Sequence, residues 1–169
     1  MKKLLIASIF SFGIVCNANA FDQERFDSDT AYYNEHKDDA KAIITLLSVF
    51  NTDNGIRQAF EQHASGNVKK WQEALNKMKK ADEYAKKIDT YSYLGSCSSA
   101  VNYAQLMWLS APKGIKIAEW NDKNSFALQD FNRSKQEFQK NYSDCKSSVN
   151  HTPDKKDYEN ELIILGSKK

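Results

Sequence analysis

The chain has 169 residues, with 24 lysine and arginine residues against 22 aspartate and glutamate residues. This length suits one domain of ordinary size that can bury a core. The composition argues against a nucleic-acid-binding protein, because such a protein usually carries a marked basic excess to neutralise phosphates. Only two prolines and six glycines favour helices over a turn-rich β fold.

The N-terminal segment, residues 1–20, has the three parts of a secretory signal peptide. Lys2 and Lys3 make its start positive, Leu4–Val15 is an uncharged apolar run, and Ala18–Ala20 offers small residues for cleavage before Phe21. A membrane-spanning helix needs about 20 apolar residues, so we expect cleavage rather than a retained membrane span. The sequence therefore predicts a mature protein of the bacterial periplasm, or alternatively a secreted one, with 22 basic and 22 acidic side chains.

Cys16 lies within this segment and raises the alternative of a bacterial lipoprotein, in which lipid is attached to the cysteine at the cut. The residue immediately before it is Val15, where a small residue is normally required. We therefore expect Cys16 to be lost with the signal peptide, and lipidation stays the alternative.

The next segment predicts a first helix after a short arm, residues 21–28, with Ser28 or Asp29 as the helix cap. Asn51–Gly55 ends this helix, and a short helical piece follows at Ile56–Ala64. In the first helix, apolar or aromatic residues recur at steps of three and four, which is typical of one buried helix face. They are Tyr33, His36, Ala40, Ile43, Leu47 and Phe50.

Three longer helical patterns follow. The second helix carries a stripe from Trp71 to Ile88 on a lysine-rich background. We interpret these lysines as a solvated face, and the alternative is a contact surface for something acidic. The third runs from Leu94 to Ala111 and is stopped by the segment from Pro112 to Gly114. The fourth extends over Ile115–Val149, and the rest of the chain forms a tail with an apolar patch at Leu162–Leu165.

Helical stripes joined by short connections are typical of an antiparallel helical bundle. The predicted fold is therefore all-α, an antiparallel four-helix bundle over residues 21–149, with an irregular all-helical domain as the alternative. Residues 150–169 are expected to form a C-terminal tail.

Two cysteines, Cys97 and Cys145, are left after residue 20. Both fall on the apolar stripes, one near the start of the third helix and one near the end of the fourth. If these helices are antiparallel, the two positions lie at the same end of the bundle, so we expect a structural disulfide. Neighbouring cysteines of a redox pair, as in C-x-x-C, are absent from the sequence.

The motifs of catalysis and metal binding are also missing. The three histidines show no H-E-x-x-H spacing, and Gly95–Ser99 lacks the second glycine of a nucleophile elbow. We therefore expect no enzyme activity, no metal and no cofactor. The alternative is a bundle that carries a small apolar ligand or haem, with His36, Met78 and Met107 as the residues to suspect.

The connection between the second and third helices holds two tyrosines within five uncharged residues, Tyr91–Gly95. Aromatic side chains are favoured at protein contact sites. We therefore expect Tyr91, Tyr93 and Leu94 to contact a partner, another envelope or secreted protein. The predicted function is a non-enzymatic protein-binding module of the immunity, inhibitor or envelope-accessory type.

Overall fold

A computed structural model of the chain describes residues 21–51, 66, 68–110 and 125–159. The predicted signal peptide, the short helix expected at Ile56–Ala64 and the apolar patch of the tail lie outside the described residues. Of the described residues, 83% are helical and none forms a strand, which confirms the all-α class. The four helices are α1 (Gln23–Leu47), α2 (Lys69–Ala85), α3 (Gly95–Ser110) and α4 (Phe126–Asn150). Two 3₁₀ turns follow α1 and α4, at Ser48–Asn51 and Lys155–Tyr158.

Helix α1 begins earlier than the sequence predicted. The side chain of Asp22 accepts a hydrogen bond from the backbone N–H of Arg25 at 3.0 Å and so caps the helix. The rings of Phe21 and Phe26 flank this cap and pack with centroids 5.6 Å apart, as a hydrophobic staple does. The prediction of an arm over residues 21–28 is therefore wrong, because Asp22 ends the non-helical segment before Ser28 and Asp29 are reached.

The fourth predicted helix is not continuous from Ile115. Ser125 has extended backbone angles, φ −63° and ψ 119°, and its side chain accepts from the N–H of Leu128. A serine in this conformation starts a helix and cannot lie inside one. Helix α4 therefore begins at Phe126, and its C-terminal end at Asn150 is one residue from the predicted end.

Contacts at the two ends of the molecule fix the directions of the helices. At one end, Trp108 near the end of α3 packs against Phe50, which follows α1, and against Trp71, near the start of α2. At the other end, the hydroxyl of Tyr33 in α1 donates to the carbonyl oxygen of Val149 in α4 at 2.9 Å. Helices α1 and α3 thus run one way, and α2 and α4 run the other way.

The predicted disulfide is confirmed. Cys97 and Cys145 join α3 to α4, which form the most extensive of the helix pairs, and neither cysteine has exposed surface. Both cysteines belong to one core of buried side chains from all four helices, which includes Ile43, Met78, Met107 and Phe138. None of the described helices is long and apolar enough to cross a membrane.

Part of the predicted tail belongs to the packed structure. Tyr158 is buried, and its hydroxyl donates to the carboxylate of Asp29 in α1 at 2.9 Å. The backbone of Phe21 pairs with that of Glu159, and the N–H of Asp22 donates to the carbonyl oxygen of Tyr158 at 3.0 Å. Packing therefore extends ten residues past the expected domain limit at residue 149, as far as Glu159.

Candidate functional site

The connection between α2 and α3 is a tight turn held by its own hydrogen bonds. The Asp89 carboxylate accepts from the backbone N–H of Tyr91 at 2.9 Å, and the Ser92 hydroxyl donates to the Asp89 carbonyl oxygen at 2.7 Å. The N–H of Gly95 then donates to the Ser92 carbonyl oxygen at 2.9 Å. Aspartate and serine commonly stabilise turns in this way, because their short side chains reach the nearby backbone.

Two further contacts fix this turn on the helices. The N–H of Asp89 donates to the hydroxyl of Tyr32 in α1 at 2.6 Å. At the other end of the turn, Gly95 packs so closely that a Cβ atom there would overlap the carbonyl oxygen of Thr90. The turn is therefore held by contacts near both of its ends.

The structure separates the three predicted contact residues. Tyr91 is 98% exposed. Tyr93 is half-buried: its hydroxyl donates to the carbonyl oxygen of His151 at 2.9 Å, and its ring meets that of Tyr33 edge-on. Leu94 has no exposed surface and belongs to the core, so it does not contribute to a surface contact.

A cleft of about 310 Å³ lies beside Tyr91. Its walls come from the N-terminal part of α1, the α2–α3 turn and the 3₁₀ turn after α4. We refer to it as the tyrosine cleft, and its other lining residues are Arg25, Asp29, Ser92, Tyr93, Asp157 and Tyr158. Sequence reasoning missed the walls from α1 and the tail, because these residues are far from Tyr91 along the chain.

Burial and nearby carboxylates raise the pKa of two of the cleft's phenols, those of Tyr93 and Tyr158. Burial, followed by the hydrogen bond to Asp29 and its negative charge, holds the pKa of Tyr158 well above its ordinary value. Burial also raises the pKa of Tyr93, and the negative charges of Asp157 and Asp29 add to the effect. Two phenol hydroxyls therefore act as hydrogen-bond donors, and the lining of the cleft has two carboxylates, Asp29 and Asp157, against one guanidinium, Arg25.

The three residues suspected of holding haem lie in two different environments. His36 lies at the edge of α1, with its ring 4.4 Å from that of Tyr32 and its Nδ1 atom 3.8 Å from the Asp39 carboxylate. Met78 and Met107 are buried in the core. Among the described residues, no three His, Cys, Asp or Glu side chains form a group that could hold a metal ion.

A second concave surface lies at the opposite end of the molecule. It is a groove of about 810 Å³ between the end of α3 and the start of α4. Leu106, Leu109 and Phe126 line it and are all exposed.

Comparison of the chain with known protein families, with curated proteins and with solved structures gave no match.

Proposed function

We propose that this chain is a periplasmic or secreted antiparallel four-helix bundle, exported by a signal peptide at residues 1–20, that acts by binding another protein. Its class is that of an immunity protein, an inhibitor or an accessory factor of an envelope machine. The observation that carries the proposal is Tyr91, which is 98% exposed on a turn that its own hydrogen bonds hold in place.

A single exposed aromatic side chain is common on protein surfaces, so exposure alone is weak support. What distinguishes Tyr91 is the rigid turn below it and the cleft beside it. Tyrosine offers a large contact area with few rotatable bonds, and a fixed backbone loses little further entropy on association. These are properties of residues that contribute strongly to protein–protein binding.

The disulfide supports both the compartment and the site. Disulfides persist in oxidising compartments such as the periplasm, and they are rare in the cytosol. Cys97 lies two residues after Gly95, so the bond to Cys145 ties the end of the α2–α3 turn to α4. The same end of the molecule is therefore fixed covalently and presents Tyr91.

The chemistry of the tyrosine cleft favours binding over catalysis. Its described lining includes neither a cysteine thiol nor a histidine to serve as nucleophile or base. The hydroxyl of Ser92 is held by the carbonyl oxygen of Asp89, and the Asp29 carboxylate accepts from Tyr158. Both groups are therefore engaged in hydrogen bonds within the protein, and neither is arranged as a nucleophile or a general base.

Site-specific photocrosslinking tests the proposal. The full chain, expressed with its own N-terminal segment in a Gram-negative host related to its source, would carry benzoylphenylalanine at position 91. A matched chain would carry it at position 126, because Phe126 is an aromatic residue that is 75% exposed at the other end of the molecule.

We expect a discrete crosslinked protein from position 91, identified by mass spectrometry, and its loss when unlabelled wild-type chain competes. The same product from both positions, or none from position 91 while position 126 gives one, would contradict the proposed site.

A further inference from the structure

The tyrosine cleft already contains one cation bound by an aromatic ring and a carboxylate. The guanidinium carbon of Arg25 lies 5.7 Å from the ring centroid of Tyr158, and its Nε atom is 3.8 Å from the Asp29 carboxylate. A guanidinium is attracted both to the face of an aromatic ring and to a carboxylate. Arg25 therefore shows which chemistry this cleft accommodates.

Among the described residues, no cation is seen on a second carboxylate and a second ring of the cleft. Within the part of the chain that the structure describes, no basic side chain pairs with Asp157, which is exposed. The neighbouring Lys155 has its ammonium over the rings of Phe21 and Phe26, at 5.9 and 5.8 Å. Tyr91 likewise meets no other ring or cation among the described residues, although its ring is the most exposed of the cleft.

The charges that line the cleft therefore do not balance. Asp29 and Asp157 are negative, and Arg25 is the one positive group among the lining residues. The carboxylate without a described cation is that of Asp157, which is exposed and lines the same cleft as Tyr91. A positive group from outside would be neutralised there without displacing Arg25 from Asp29.

We propose that an arginine side chain of the partner protein enters the tyrosine cleft and lies between the Tyr91 ring and the Asp157 carboxylate. This inference rests on the proposed function, because it names the chemistry by which the partner is recognised. Arginine fits better than lysine, since its planar guanidinium stacks on a ring and pairs with a carboxylate at the same time.

The test uses a small probe and its uncharged counterpart. N-acetyl-arginine amide would be titrated into the isotope-labelled, oxidised full chain at low ionic strength, and N-acetyl-citrulline amide serves as the control. Citrulline has nearly the same shape as arginine and lacks the charge. We expect saturable, millimolar binding of the arginine probe with amide shifts centred on Tyr91, Ser92 and Asp157, and weakening by added salt.

Two variants locate the site. Asp157→Asn should weaken binding of the arginine probe by about five-fold or more, and so should Tyr91→Ala. Glu73→Gln removes an equivalent exposed carboxylate near the start of α2, at the far end of the molecule, and should leave binding unchanged. A well-dispersed spectrum of each variant verifies its fold.

The outcomes separate this inference from the proposed function. Equal shifts with citrulline, or unchanged affinity of Asp157→Asn, would overturn the arginine site. If Asp157→Asn still crosslinks its partner fully through position 91, the protein-binding function stands and the arginine contact is refuted. If the probe binds as expected but position 91 captures no protein, the cation site stands and the protein partner is refuted.

Discussion

Loss of the Cys97–Cys145 bond should lower the free energy of unfolding by about 4 kcal/mol. The bond joins cysteines 48 residues apart, and the loop-entropy relation for a closed segment of this length gives about 4 kcal/mol at 25 °C. The effect arises mainly in the unfolded chain, which regains the freedom that the crosslink removes. Because both sulfur atoms are buried, a serine at either position would also bury a hydroxyl group, so alanine is the cleaner replacement.

Urea unfolding followed by circular dichroism measures this loss. Three samples should be compared: oxidised wild-type protein, the same protein in reductant, and the double variant Cys97→Ala with Cys145→Ala. The last two lack the same crosslink, so their free energies of unfolding should lie close together, about 2 to 5 kcal/mol below that of the oxidised protein. Protein without residues 1–20, prepared without reductant, should show no free thiol.

A difference of less than about 1 kcal/mol between oxidised and reduced protein would refute this reasoning. Such a result would mean that the unfolded chain keeps the two cysteines close even without the bond. Two titratable thiols in the oxidised preparation would contradict the arrangement of α3 and α4 itself.

Leu94→Ala should lower the free energy of unfolding by about 2 to 5 kcal/mol, because it leaves a cavity in the core. In the same urea assay, Tyr91→Ala should change the free energy of unfolding by no more than about 0.5 kcal/mol, because Tyr91 is exposed. Gly95→Ala should lower the free energy of unfolding by about 1 to 3 kcal/mol, since the new methyl group would overlap the Thr90 carbonyl oxygen. It should also shift the amide resonances of the α2–α3 turn, and an unchanged spectrum would contradict this. Because the pKa of Tyr158 is raised in the folded protein, its contribution to the free energy of unfolding should be retained below about pH 10, where an unfolded tyrosine is still protonated. This contribution should fall as the pH rises above that value toward the pKa of the folded protein. The urea midpoint from neutral to about pH 11 measures this loss, which should be smaller in Tyr158→Phe.

The periodic parts of the fold could be predicted from the sequence. The stripes of α2 and α3 include Met78, Ala81, Val101 and Trp108, all of which are buried. Their spacing matches the helical repeat, so each pattern depends only on neighbours along the chain. The disulfide was predictable for the same reason, because position on a stripe placed both cysteines at one end.

The first residues of the helices were harder to predict from the sequence, because several residues can serve as caps. Asp22, Ser28 and Asp29 are all good cap residues, and the ring contact of Phe21 with Phe26 decides for Asp22. This signal was present in the sequence and was missed. Asp29 instead accepts from Tyr158, 129 residues away along the chain, and no local pattern predicts such a contact.

The candidate site was predicted in part. Tyr91 is exposed on a connecting turn as its uncharged, aromatic setting suggested, but Leu94 is buried. The spacing of Leu94 to Cys97 and Val101 already placed it on the stripe of α3, and that assignment outweighs its position next to the turn. The cleft itself could not be foreseen, because Arg25, Tyr91 and Asp157 come from three distant parts of the chain.

The pairing of Phe21 with Glu159 has a mechanical consequence. A force applied through the chain segments before Phe21 and after Glu159 acts first on this pair and on the Tyr158–Asp29 hydrogen bond next to it. These contacts break one after another, so they resist only a small force. The load then reaches Cys97 and Cys145, and the 48-residue separation between them cannot lengthen while the bond is intact. A single pulled molecule would therefore extend by less than its full chain length. Reduction of the bond would release the segment between Cys97 and Cys145 in one step.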